Sequence, residues 1–296
     1  MSYIIKPVNA DYNTNIRYIE DLIKEFPFLN AEIQGRTPLG RGIFSLSLGN
    51  PRNSVILAGG FHGSDHLTSL ILLLFTERLC RCVKYGTQMS GVDIKRAFSQ
   101  LGVTVIPCIN PDGSEIALKG FESGGQMRKY ILSVANCNHE SWDANATGVD
   151  ISRNFSAGFD KARENAVAEG INGPCHKSFG GEHAESEAET RVLTRLCRMK
   201  KFRQCMALQT GERALISQYG DSTPIKSNMM AKILADSCSC ALIDNNSPIA
   251  HGGFMGWFID EFGAPGFTLR AGNSKADKLY ETYSAVEEAL LLFTLM

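Results

Sequence analysis

Several features that usually indicate a partner are missing from this 296-residue sequence. Basic and acidic residues nearly balance, 30 against 31, and neither sign is gathered into a long run. The sequence therefore has no electrostatic footprint for nucleic acid or for an anionic membrane surface. A small molecule, a peptide or another protein is the expected partner.

Long hydrophobic runs are missing as well. The longest run of consecutive apolar residues, Leu70 to Phe75, is far too short to cross a bilayer, and the N-terminus lacks the charged start and apolar core of a signal peptide. The nine cysteines are an odd number and thinly spread, which is unlike a disulfide framework and favours reduced thiols. We therefore expect a cytoplasmic protein without a membrane span.

The apolar pattern alternates between strand-like and helix-like segments, which is typical of an α/β sandwich. With 44% apolar residues and no break in composition, residues 1–296 are expected to form one domain, with a mixed, mostly parallel sheet flanked by helices. Residues 120–159 are expected to be a long irregular segment of the kind that often builds a site. Strands are predicted at 42–49, 54–58, 103–109, 205–208 and 266–269, helices at 14–24, 67–84, 225–237 and 276–295, a turn at 110–113, and a further helix after a capping box at Ser186.

A glycine loop at residues 59–65 follows the second predicted strand and carries a histidine and a carboxylate. His62 and Asp65 are three positions apart, a spacing at which two side chains of one tight turn can hold the same metal ion. Imidazole nitrogen and carboxylate oxygen are both zinc ligands. His66 is an alternative ligand if the loop has already become helical there. The simplest alternative is that His62 is a polar loop residue bonded to backbone.

Several motifs, taken together and in order, resemble the zinc carboxypeptidase family of the carboxypeptidase A type. The resemblance covers nearly the whole chain and is strongest to the bacterial γ-D-glutamyl-diaminopimelate peptidases that trim peptidoglycan peptides. It implies the carboxypeptidase fold, a zinc ion and a peptide substrate. The motifs are Gly60-Phe61-His62-Gly63, Asn110-Pro111-Asp112-Gly113, Trp142-Asp143-Ala144-Asn145, Gly148 to Phe155, Ser186 to Thr190, Gly252 to Ile259 and Pro265 to Thr268.

The resemblance implies zinc held by a His-x-x-Glu motif and a distant second His, with an open position for a water molecule. His62 matches the first ligand, and Asp65 stands where the Glu is expected. Gln209 occupies the position of the second His, and the amide oxygen of Gln209 is a poor zinc ligand. We therefore expect a vestigial metal site at His62, Asp65 and Gln209, with zinc absent or weakly bound.

The catalytic and substrate-binding positions of the family also carry different residues here. Arg270 stands at the general-base position, where a guanidinium cannot accept a proton. Asp143 stands at the position of the cation that stabilises the oxyanion. In the substrate-binding turn, Ser152 replaces the usual Asn. Arg153 remains and is able to bind a substrate carboxylate as a bidentate pair, with Asn154 beside it.

Two of these residues have alternative roles. An emptied cation site leaves unpaired carboxylates, which is costly in a low-dielectric cavity. We therefore expect the Arg270 guanidinium to pair with Asp65 and with Asp143; the alternative is an exposed charge at a strand end. For Arg153, the alternative to ligand binding is a structural ion pair with Asp150.

So many changes in one site favour a degraded catalytic centre over a variant mechanism, because the nucleophile and the proton acceptor are both lost. The sequence predicts a zinc-carboxypeptidase-like protein that binds the carboxylate of a small peptide or peptidoglycan fragment without cleaving it. The alternative is an active metallopeptidase, either a carboxypeptidase or a γ-D-glutamyl-diaminopimelate peptidase, with an atypical metal site. Whether the protein is an enzyme stays open at this level.

Overall fold

The structure is a computed structural model that describes residues 2–243, 251–272 and 275–296. Strands and helices are interspersed along these residues. The strands are β1 (Asn30–Arg36), β2 (Gly42–Gly49), β3 (Ser54–Ala58), β4 (Gln88–Met89), β5 (Val92–Asp93), β6 (Gly102–Ile106), β7 (Cys205–Gln209), β8 (Gly211–Ile216), β9 (Ala241–Ile243) and β10 (Gly266–Gly272). The helices are α1 (Tyr12–Glu25), α2 (His66–Tyr85), α3 (Ile94–Ala97), α4 (Pro111–Lys119), α5 (Arg128–Ala135), α6 (Phe159–Ala168), α7 (Ala188–Lys200), α8 (Lys226–Ser237), α9 (Phe254–Phe262) and α10 (Leu279–Leu295).

In the described part of the chain, eight strands form one mixed sheet in the order β1-β2-β6-β3-β7-β10-β8-β9. The four strands from β6 to β10 in that order run parallel to one another. The pairs β1–β2, β2–β6 and β8–β10 are antiparallel. This mixed, mostly parallel sheet with flanking helices confirms the predicted fold class.

Two apolar cores lie on the two faces of the sheet. Successive residues of β3 alternate between them, because side chains of a strand point to opposite faces: Val55 and Leu57 belong to one core, and Ile56 belongs to the other. The first core is covered by α1, α2, α8 and α10, and the second by α7 and α9. The central strands therefore have no solvated face, as expected for parallel strands.

Helix ends follow from local sequence. The side chain of Asp11 accepts a 2.7 Å hydrogen bond from the backbone of Thr14 and begins α1, and Gly86, in the left-handed conformation (φ 64°), ends α2.

No helix within residues 2–243, 251–272 and 275–296 is long and apolar enough to cross a bilayer.

Four local predictions are wrong. The strand predicted at 103–109 ends at Ile106. The predicted turn at 110–113 begins helix α4, because the Asn110 side chain caps the Gly113 backbone N–H and Pro111 suits the first turn. The segment 120–159 is not wholly irregular, since it contains α5 and short 3₁₀ turns. The capping box at Ser186 is not formed: α7 begins two residues later, and the Ser186 hydroxyl donates to Glu187.

Candidate functional site

The candidate site lies where the central parallel strands end. Strand β3 runs into the loop 59–65, which carries His62, and β7 ends at Gln209, whose register partner on β10 is Arg270. Because parallel strands share one direction, their carboxyl ends meet at one edge, where ligands bind in open α/β sheets. The sheet thus brings the sequence-predicted residues of three distant segments to the same edge.

The loop 59–65 is fixed by close backbone packing at Gly63. A Cβ atom at this position would overlap the carbonyl oxygens of Trp142 and Gly113. The Gly63 backbone N–H donates a 3.1 Å hydrogen bond to the carbonyl oxygen of Asp143. Only glycine therefore allows the His62 loop, the start of α4 and the Trp142–Asp143 segment to meet here.

Both ring nitrogens of His62 have partners. Nδ1 lies 3.0 Å from Oδ2 of Asp65, and Nε2 lies 2.9 Å from Oγ of Ser152. Nε2 also lies 3.6 Å from Oδ1 of Asp150, which accepts a 2.7 Å hydrogen bond from the Ser152 hydroxyl. His62, Asp65, Asp143, Asp150 and Ser152 are referred to below as the His62 cluster.

Charges in the His62 cluster determine the protonation state of His62. Burial by itself would lower the pKa of His62, but the carboxylates of Asp150, Asp65 and Asp143 raise it to about 10. Burial would raise the pKa of Asp65, but His62 and the Thr210 hydroxyl hold it below its usual value. Burial raises the pKa of Asp143. His62 is therefore an imidazolium at neutral pH and is the cation that neutralises the carboxylates around it.

The predicted pairing of Arg270 with Asp65 and Asp143 is wrong. Asp65 binds His62 through one oxygen and the Thr210 hydroxyl through the other, and Asp143 accepts a hydrogen bond from the Ser64 hydroxyl. Within the described residues, Arg270 has no acid at ion-pair distance; its side chain runs beside Gly211 and is partly buried. The physical reason is that the imidazolium of His62 supplies the charge that was assigned to Arg270.

The three residues of the predicted substrate-binding turn, 152–154, have different surroundings. Ser152 joins the His62 cluster, and Arg153 has a 25% exposed side chain whose Nε lies 3.8 Å from Oδ2 of Asp150. Nη1 and Nη2 of Arg153 make no hydrogen bond to any described residue. The structure does not bring Asn154 to the surface: it is 0% exposed, and its amide donates to the Gly180 carbonyl and the Ser186 hydroxyl.

Sequence reasoning did not identify three partners in this site. Asp150 was named only as a partner for Arg153, although an Asp two residues before a Ser is a common capping pattern, and its carboxylate does cap the backbone N–H of Ser152 at 3.0 Å. The hydroxyls of Ser64 and Thr210 carry no comparable sequence signal. Their roles depend on which segments meet in three dimensions.

Comparison with known proteins shows the family to which the chain belongs. The sequence profile of the zinc carboxypeptidases matches residues 16–283, and the chain belongs to this family.

The chain is 24% identical over 291 residues to gamma-D-glutamyl-L-diamino acid endopeptidase 1 of Lysinibacillus sphaericus, covering 96% of this chain and 71% of that protein. Its fold is similar to that of the carboxypeptidase A from Helicoverpa armigera (TM-score 0.70, 17% identity, 95% of this chain and 72% of the other). It is also similar to that of the murein-tripeptide amidase from Escherichia coli O157 (TM-score 0.57, 21% identity, 89% and 91%).

Zinc is expected for the family, but the donor set of this chain does not complete a three-ligand zinc centre. Within the described ranges, no group of three or more His, Cys, Asp and Glu side chains is arranged to hold a metal ion. His62 and Asp65 supply an imidazole and a carboxylate, whereas Gln209 supplies only an amide and lines a small cavity with Ser152. The alternative ligand His66 begins α2 and lines a larger cleft with His139. A zinc centre of three strong protein ligands is not available from these residues.

Helix α7 carries a buried acid, Glu189. It is 0% exposed, and one of its oxygens lies 3.4 Å from the amide nitrogen of Asn145. Burial, with the nearby carboxylates of Asp112 and Glu187, raises the pKa of Glu189 to about 8. The side chain is therefore largely protonated in the folded protein at neutral pH.

We expect the replacement Glu189→Gln to remove a pH dependence of stability. Between the unfolded pKa and the folded pKa of Glu189, only the native state keeps the proton, so the free energy of unfolding falls by up to about 1.4 kcal/mol per pH unit as pH rises. Gln cannot ionise, so the variant should lack this fall. Urea unfolding at pH values near the two ends of that pH range measures this change in the free energy of unfolding. The control is Glu164→Gln, at an exposed position. Equal slopes for wild type and Glu189→Gln would rule out the raised pKa.

Proposed function

We propose that this protein binds a peptide with a free carboxylate, such as a peptidoglycan-derived peptide, and does not hydrolyse it. The observation that carries the proposal is the state of Arg153. Its side chain is 25% exposed, its Nε lies 3.8 Å from Oδ2 of Asp150, and Nη1 and Nη2 have no partner in the described part of the chain. A guanidinium fork of this kind binds a carboxylate through two parallel hydrogen bonds.

The identity of the neighbouring residues supports binding without turnover. Hydrolysis requires a proton acceptor. Arg270 occupies the position that the resemblance implies for the general base, and a guanidinium cannot accept a proton. At the position where the resemblance implies an oxyanion-stabilising cation, Asp143 supplies a carboxyl group and not a cation.

The names of related proteins support the ligand class. The relative from Lysinibacillus sphaericus is by name a gamma-D-glutamyl-L-diamino acid endopeptidase, and the similar structure from Escherichia coli is by name a murein-tripeptide amidase. Both names refer to peptides of the kind found in peptidoglycan. A γ-D-glutamyl-diaminopimelate peptide, which carries free carboxylates, is therefore the first ligand to test.

We expect Arg153→Ala to weaken binding of this peptide by at least about tenfold, because the variant loses a charge-assisted bidentate pair. Arg153→Lys should recover only part of the affinity, since an ammonium keeps the charge but not the fork. Isothermal titration calorimetry of the free-acid peptide and of its amidated form measures both effects. The amidated form should bind wild type as weakly as the acid binds Arg153→Ala.

The control variant is Arg52→Ala, because Arg52 is exposed and precedes β3, whose opposite end leads into the His62 loop. Equal affinity of wild type for the acid and the amide would contradict the proposal. The alternative, an active metallopeptidase, is tested by incubating the same peptide with protein and zinc. Hydrolysis that a chelator abolishes would establish that alternative and exclude a purely binding role.

A further inference from the structure

A groove away from the His62 cluster is lined by four arginines. It has a volume of about 490 Å³ and lies between the end of β1 and the exposed face of α7. Arg36 comes from the strand, and Arg191, Arg195 and Arg198 come from the helix. Glu185 is the one acid among the described residues that line it. We refer to this feature as the arginine groove.

The three helix arginines form one row. Residues four and three positions apart lie on the same face of a helix, so Arg191, Arg195 and Arg198 are neighbours along the groove. The rise of 1.5 Å per residue separates the first two by about 6 Å along the helix axis. The floor is closely packed, because a Cβ atom at Gly35 would overlap a methyl group of Val192. Strand and helix therefore hold the row at a fixed distance from Arg36.

Three of the four guanidinium groups are held in place but keep their charge. Arg36 donates from Nη1 to the carbonyl oxygen of Gly40 at 2.8 Å, and Arg191 donates from Nη1 to that of Glu185 at 3.0 Å. Arg195 donates from Nη2 to the carbonyl oxygen of Gln34. A carbonyl oxygen orients a guanidinium without neutralising it. Within the described residues, none of these three arginines has an acid at ion-pair distance.

Arg198 shows what kind of group fits in the groove. Its Nε lies 2.9 Å from Oε1 of Glu261, and its Nη2 lies 3.1 Å from Oε1 of Glu185. Both partners are carboxylates that meet the planar fork of the guanidinium, which is the preferred geometry of this pair. Arg198 is neutralised within the protein, so Arg36, Arg191 and Arg195 remain for an external anion.

We propose that the arginine groove binds an acidic peptide segment in extended conformation, with carboxylates on alternate residues. Side chains two apart on an extended chain are about 6.6–6.8 Å apart, which is close to the spacing of Arg191 and Arg195. The chain as a whole has a net charge of −1 and an isoelectric point near 6.6. A nucleic-acid-binding surface is usually part of a strongly basic domain, so a short acidic segment is the better match.

The test uses a fluorescein-labelled Gly-Glu repeat peptide and measures anisotropy as the full-length protein is added, at low and at physiological ionic strength. Binding should be present at low salt and should weaken as salt rises, because the charges are exposed. Arg191→Ala and Arg195→Ala should each weaken it by about three- to fivefold, and the double variant by at least tenfold. Arg195→Gln, which keeps a donor for the Gln34 carbonyl, should behave like Arg195→Ala.

The control peptide is the Gly-Gln repeat, which should not bind, and the control variant is Arg163→Ala, which should bind like wild type. Thermal unfolding of each variant verifies that the fold is intact. Unchanged affinity in the double variant would overturn the proposal, as would binding of tripolyphosphate with no binding of the Gly-Glu peptide. The result is independent of the His62 cluster and of Arg153.

Discussion

Replacing Gly63 with Ala is expected to lower the free energy of unfolding by about 2–3 kcal/mol and to displace the His62 loop, because an added methyl group has no room. The Cβ atom would overlap two carbonyl oxygens, those of Trp142 and Gly113. These are backbone atoms, which cannot move aside by changing rotamer. The loop must therefore shift, and the 3.1 Å hydrogen bond from the Gly63 N–H to Asp143 is lost with it.

The matched control is Gly173→Ala, because a Cβ atom at Gly173 meets nothing within 4 Å. Urea unfolding compares the stability of the two variants with that of wild type. Titration of the free-acid peptide then reports on the site, since displacement of the His62 loop should also weaken binding at the neighbouring Arg153. Gly63→Ala with the stability of Gly173→Ala would show that this packing has no energetic importance.

A second large effect is expected at Glu77, in the middle of α2. This carboxylate is 0% exposed and accepts hydrogen bonds from the backbone N–H groups of Ile4, at 2.9 Å, and Ile5, at 3.0 Å. It also pairs with Arg81 at 2.7 Å. One buried acid thus fastens residues 4 and 5 to the longest helix of the described chain.

We expect Glu77→Gln to reduce the free energy of unfolding by about 3 kcal/mol, because loss of one partner of a buried pair leaves the others without compensation. The Gln side chain keeps one acceptor oxygen, but its NH₂ group replaces the other carboxylate oxygen and faces the Ile4 and Ile5 N–H groups, which are also donors. Limited proteolysis should cut the first residues faster than in wild type. Glu20→Gln, at an exposed position of α1, is the control; equal stability of the two variants would contradict the role of Glu77.

The elements that the sequence predicts best are those with a continuous apolar pattern. Strand β3 and helix α2 lie at or within one residue of their predicted bounds, because their burial is nearly complete and their hydrophobicity is unbroken. Strand β1 was not predicted. Its residues, Asn-Ala-Glu-Ile-Gln-Gly-Arg, are mostly polar and exposed, and it is a strand because it pairs with β2 at the edge of the sheet.

The site was predictable as a set of positions but not as a set of contacts. Sequence motifs identified His62, Arg153 and Arg270 as candidate site residues; the structure has His62 in the loop after β3, Arg270 on β10 and Arg153 in a 3₁₀ turn. They did not indicate that Ser152 would bind His62, or that Asp65 would be satisfied without a guanidinium. Such partners depend on side-chain directions and on hydroxyl groups whose sequence context is ordinary.

The alternation of β3 between two apolar cores explains how such a site can vary while the fold persists. The residues that hold the sheet together lie within the strands, whereas Gln209 and Arg270 lie near strand ends and belong to neither core. A substitution at these ends removes little buried apolar area and opens no cavity in either core. At Gln209 and Arg270, side-chain chemistry is therefore under constraints separate from those on the sheet, so mutations at these two positions can alter the site without endangering the fold.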